Sequence, residues 1–199
     1  MELEYNASGV KHLLWFVETR ETARLLKEKT PEEARTIVLE ENLYQQRDRS
    51  RIVNEYNCIQ RRIHAVPERL INLLLRTDVS TAKLIVLVSA MATDRLLFEM
   101  VYEVYRPKIR LGEDALKDSD LNIFFSSKAG QSDLIAGWTE ATIKKLKGTY
   151  AKILAEAGLL RIKGRNDREI LRVYVDPELR QVLLSEGMSS YYFAMTGEQ

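Results

Sequence analysis

Two clusters of basic side chains are where this sequence has most chemistry to offer. Arg47, Arg49, Arg51, Arg61, Arg62, Arg69 and Arg76 fall between residues 45 and 76, where seven Lys and Arg meet three Asp and Glu. Lys144, Lys145, Lys147, Lys152, Arg161, Lys163, Arg165, Arg168 and Arg172 fall between 139 and 175, where nine meet four. The remainder of the chain is acidic, and the 199 residues together carry only +1. The signal is therefore a local positive field, which attracts phosphate, and not the net charge. Arginine makes up the first cluster and suits bidentate contact with phosphate or guanine. Within it, Arg61 and Arg62 are expected to salt-bridge to the acidic first helices, for example at Glu40 and Glu41. Arg47, Arg49 and Arg51 stand as candidate DNA contacts.

No other constellation points to a reaction. His12 and His64 are far apart in sequence, and no Cys or His stands at ligand spacing from His64, so no metal site is expected. Cys58 is the sole cysteine. It precludes an intrachain disulfide, which fits a reducing cytoplasm, and beside Ile59 it reads as packing. Glu99 and Glu103 share a helix face; paired carboxylates can do acid–base work, but a salt-bridged stripe is the plainer reading. There is no glycine-rich phosphate loop and no nucleophile elbow. The expectation is a non-enzyme without cofactor or metal. Tyr191-Tyr192-Phe193 could stack on bases, or pack back on the fold.

The elements that must carry these residues are mostly helices. Apolar residues make up 45% of the chain, with only 9 Gly and 4 Pro. Residues 7–28 read as one helix. Thr30-Pro31-Glu32-Glu33 is a capped start for a second, ending near Leu43. Asp48 or Ser50 caps a third that stops before Pro67. Residues 68–75 are helical, Ser80 caps a helix through Ala92, and Arg95–Tyr105 continues or follows it. Pro107 and Gly112 then break the chain. The apolar run LIVLVSAMA, from Leu84 to Ala92, is far short of the ~20 residues that span a bilayer, so it reads as a buried helix. The start of the chain lacks a signal peptide's features. No membrane association and a cytoplasmic location are expected.

Beyond residue 118 the pattern changes. Ser119 caps a short helix over 119–127, and 132–137 makes a brief turn. Thr139 caps a longer helix with an apolar stripe of Ile143, Leu146, Tyr150, Ile153, Leu154 and Ala157. At 100° per residue, Lys145 and Lys152 fall almost opposite that stripe and Lys144 on its flank. Gly158 is a left-handed stop. Two alternating runs, 159–163 and 169–175, flank Gly164-Arg165-Asn166-Asp167, a hairpin signal. Pro177 opens a terminal helix. Three helices followed by a basic hairpin are the order of a winged helix-turn-helix, at about 119–175. The predicted fold is mainly α: a helical N-terminal domain over 1–76 and a C-terminal domain over 77–199 containing this unit. Free N–H groups at the Thr139 end favour phosphate. Thr139, Lys144, Lys145 and Lys152, with Arg161, Lys163, Arg165, Arg168 and Arg172 on the wing, are the candidate contacts to double-stranded DNA.

Several segments in order resemble the BrxA family of bacteriophage exclusion (BREX) systems. They are YNAS from Tyr5, EENL from Glu40, RRIHAVPERLINLL from Arg61, FEMVYEVYRPKIRLG from Phe98, Phe124-Phe125, GWTEATIKKL from Gly137 with ILAEAGLL from Ile153, and SEGMSSYYFAMTG from Ser185. The resemblance implies an accessory role in antiviral defence beside other BREX components, in systems that methylate host DNA and block phage DNA. It implies neither the methyltransferase, nor the ATPases, nor the phosphatase-like member. The family is similar to DNA-binding helix-turn-helix proteins and has been likened to the NusB fold. Its occasional inner-membrane label finds no support in these residues. Two other functions compete with duplex binding: a protein-interaction adaptor using the apolar helices and Tyr191–Phe193, and RNA binding through the N-terminal half.

Overall fold

The computed structural model describes residues 3–164 and 168–198. Helices form where local caps are in place. Thr30 opens α2 (Pro31–Glu40) with a full capping box: its hydroxyl accepts from the Glu33 amide, and the Glu33 carboxylate accepts from the Thr30 amide. Asp48 caps α3 (Arg49–His64), accepting from the Ser50 amide at 2.7 Å. Pro67 precedes α4 (Glu68–Arg76). Asp78, rather than Ser80, caps α5 (Val79–Met91), accepting from the amides of Ser80 and Thr81.

The apolar run that sequence places inside the protein lies on α5, buried from Leu84 to Met91. Against it pack α3, α4, α1 (Phe16–Glu28) and α6 (Arg95–Met100). A π-helical segment (Val101–Tyr105) and α7 (Arg106–Leu111) continue α6 without a break, as one rod. The expected break at Pro107 does not occur. The Arg106 amide bonds back to the Val101 carbonyl, five residues away, and this wider turn carries the chain into Pro107, which donates no hydrogen bond. Gly112, at φ +74°, ends the rod instead.

The expected helix over 7–28 is divided. A 3-10 turn (Ser8–Lys11) precedes α1, and Trp15 between them is left-handed, at φ +55°. The reason is tertiary: the Arg62 guanidinium donates to the carbonyls of Leu13 (2.8 Å) and Leu14 (3.2 Å), which a continuous helix would have bonded internally.

Farther on come α8 (Asp118–Gln131), α9 (Asp133–Ala136) and α10 (Glu140–Glu156). The α8 helix is longer than expected and starts one residue ahead of Ser119, with Asp120 accepting from the Lys117 amide. A hairpin follows: β1 (Leu160–Ile162) pairs antiparallel with β2 (Arg168–Ile170), Arg161 opposite Glu169. Residues 114–116 add a single antiparallel bridge at Ala115 to the far side of β2. Past Ile170 the expected strand is not laddered, although the Leu171 amide still bonds Leu159. The terminal helix is two, α11 (Pro177–Ser185) and α12 (Ser189–Thr196), divided at Gly187 with φ +71°. The architecture is helical with one small antiparallel hairpin, and among the described residues no helix is long and apolar enough to cross a membrane.

Candidate nucleic-acid interface

The α10 helix divides its faces as its spacing requires. Leu146, Tyr150, Ile153 and Leu154 are buried to within 1% exposure. Lys144, Lys145 and Lys152 are exposed, and none makes an ion pair or side-chain hydrogen bond among the described residues. Thr139 caps the helix, accepting from the Thr142 amide at 3.2 Å. The α10 N-terminus, about one turn from Lys144 and Lys145, carries a partial positive charge of its own. Lys147 instead lies over the Phe125 ring and bonds Asn122 on α8, fastening the two helices.

The hairpin is more occupied with its own carboxylates. Arg161 and Lys163 both reach Glu169 Oε2, each at 3.0 Å, so two cations share one anion at the surface. That carboxyl is held below its usual range by the Lys163 and Arg161 contacts. Arg168 is only 7% exposed and ion-paired with Asp118 at 2.6 Å. The side chain read as a surface contact therefore clamps β2 onto the start of α8. Arg172 is exposed and leans on the Ile109 carbonyl at 3.4 Å. Arg165 lies outside the described residues.

The arginines around α3 separate in an order that periodicity could not assign. Arg47, Arg49, Arg51 and Arg61 are exposed and form no ion pair among the described residues. Arg62 is buried and holds backbone carbonyls, not the acidic helices, and its guanidinium lies 5.5 Å from the Trp15 ring centroid. Arg69 and Arg76 pair with Glu186 and Glu178 on the C-terminal side. None of them meets Glu40 or Glu41.

The turn at residues 8–11 joins the two basic regions. It lies against α10, where Thr149 Oγ1 donates to the Val10 carbonyl at 3.3 Å. This approach needs Gly9: a Cβ there would stand 2.8 Å from Asp94 Oδ2 and 3.3 Å from Leu146 Cδ2. Continuing from that turn, Lys11, His12 and Trp15 form one wall of a groove of about 950 Å³ whose other wall is α3, with Arg51, Glu55 and Arg61. Sequence reasoning missed this groove, because its walls are some 40 residues apart in the chain. Burial and the charges of Arg62, Arg61 and Lys11 push His12 down to about 4, so it is neutral at pH 7. Burial, with help from Glu18, pushes Glu55 up to about 7.

The other candidates have structural partners. Glu99 and Glu103 clamp the buried Lys128, each oxygen 2.7 Å from its Nζ, and Glu99 also accepts from Arg95 and Tyr5. Cys58 is buried and free. Tyr192 is 4% exposed, and Tyr191 packs on Phe98 with ring centroids 5.0 Å apart.

The sequence model of the BrxA family matches residues 3–187. The chain is similar to "BREX protein BrxA" of Bacillus cereus (strain H3081.97), at 33% identity over 198 residues, covering 99% of this chain and 98% of that protein. A crystal structure of an uncharacterized protein from Magnetospirillum magneticum has the same fold. It superposes with a TM-score of 0.82 at 20% identity, covering 98% of this chain and 99% of that one.

Proposed function

Since the chain belongs to the BrxA family, we propose that it is a non-enzymatic, DNA-binding accessory protein of a BREX anti-phage system, acting beside that system's other components. In this reading α8, α9 and α10 with the hairpin are a winged helix-turn-helix, and the segment at 114–116 is the short strand that such units place before their first helix. The duplex is met by α10, whose capped N-terminus and lysines face the phosphates.

One observation carries the proposal: Lys144, Lys145 and Lys152 are exposed together on a helix anchored by its opposite face, with no carboxylate among the described residues engaging them. The wing is secondary. Arg161 and Lys163 share one carboxylate, and exposed pairs of this kind are weak enough for a phosphate to compete.

The test is fluorescence anisotropy with a duplex oligonucleotide across a salt series. Each phosphate contact adds ~0.9 to the slope of log affinity against log salt. Alanine at Lys144, Lys145 and Lys152 together is expected to lower that slope by about 2–3, on any duplex sequence. Absence of a complex with any duplex at low salt defeats the proposal.

A further inference from the structure

We propose that the groove between the Lys11–Trp15 wall and α3 binds a nucleoside phosphate: Lys11, Arg51 and Arg61 hold the phosphate, the base lies against Trp15, and an N–H of the base donates to Glu55. This site is separate from the α10 surface and stands without it.

The groove's volume, about 950 Å³, is in the range of small-molecule sites. Its three cations share the groove with two acids, Asp48 and Glu55. Lys11, Arg51 and Arg61 line it and make no ion pair among the described residues. Asp48, the other acid on the wall, is engaged in capping α3. A concave site in which cations outnumber acids attracts an anion from outside. Guanidinium groups are matched to phosphate oxygens.

Glu55 is the independent sign of a ligand. It is 4% exposed on the groove wall, and Oε2 accepts from Gln46 Nε2 at 3.1 Å. Oε1 is buried without a hydrogen-bond partner among the described residues. A buried carboxylate oxygen left unpaired is costly, and a donor arriving with a ligand removes that cost. An acceptor at depth, an aromatic wall and cations at the mouth are the three contacts by which proteins hold an unstacked nucleotide: edge hydrogen bond, stacking and phosphate.

The source is either a free nucleotide or an unpaired residue of a strand, and the experiment separates them. The full chain with Trp138→Phe leaves Trp15 as its only tryptophan, since there are two. Its emission is followed during titration with GMP, CMP, a single-stranded oligonucleotide and inorganic phosphate. Saturable quenching by the nucleotides or the oligonucleotide is expected. At pH 8, where Glu55 is ionised, affinity should fall at least about tenfold in Glu55→Gln, the size of a lost hydrogen bond to a charged group, and similarly in Arg61→Ala, an exposed position. Quenching by the oligonucleotide alone assigns the strand as source; quenching by GMP or CMP assigns the free nucleotide. The triple lysine variant of α10 is expected to bind the nucleotide unchanged, so loss of duplex binding and loss of this site are distinguishable. Phosphate binding as well as GMP, affinity unmoved by Glu55→Gln, or no saturable change with any ligand overturns the proposal.

Discussion

Replacing Glu55 by Gln should make the protein more stable at pH 8 than at pH 5, relative to the natural chain, by an amount the structure sets. Glu55 is on α3, faced by Gln46 from the preceding loop, by Glu18 on α1 and by Arg51 one turn back. Burial first, then the charge of Glu18, raises its carboxyl from 4.5 to about 7, against the opposing pull of Gln46 and Arg51. The unfolded chain releases the proton near the ordinary value, and the folded chain holds it until near 7. The stability this group contributes is therefore complete below about pH 4.5 and lost as pH rises through 7. At about 1.4 kcal/mol per pH decade, the part lost between pH 5 and 8 is about 2–3 kcal/mol. For a chain of this size that is roughly 5–10 °C in melting temperature. Gln keeps the shape and the Gln46 contact but has no proton to release. The assay is thermal unfolding of both proteins, followed by circular dichroism, at pH 5, 6, 7 and 8. His12 and every other titrating group cancel in the difference between them. A difference that stays constant over this range refutes the reasoning and shows that Glu55 ionises as an exposed carboxylate does.

Two further outcomes follow from side chains that the fold encloses. Lys128→Met leaves Glu103 and half-buried Glu99 without the cation between them, so unfolding in urea should shift by about 3 kcal/mol; a change under about 1 kcal/mol would make that clamp a surface pair in effect. Gly9→Ala sets a methyl 2.8 Å from Asp94 Oδ2 and 3.3 Å from Tyr150. It should cost about 1–3 kcal/mol, read as a lower melting temperature, whereas an unchanged one would mean that the 8–11 turn lifts from α10 freely.

Much of the helical scaffold was legible without the fold. The capping box at Thr30, the Asp48 cap, the buried run on α5, the Thr139 cap and the hairpin after Gly158 each depend on residues within a few positions, and all lie where spacing places them. The split of α10 into a packed face and a lysine face is legible for the same reason, since 100° per residue requires only a neighbouring core. What the arginines do is another matter. Arg62 looks like Arg61 in sequence, yet one is buried against the Leu13 and Leu14 carbonyls and the other is exposed. Arg168 reads in sequence as one more wing arginine, yet closes on Asp118, 50 residues away. The groove needs Lys11 and Trp15 opposite Glu55 and Arg61, and Pro107 passes through a helix only because of the π turn ahead of it. Caps and faces are local, so the order of residues determined them; ion-pair partners and cavities join segments that meet only when the chain has packed, so the tertiary structure alone decided them.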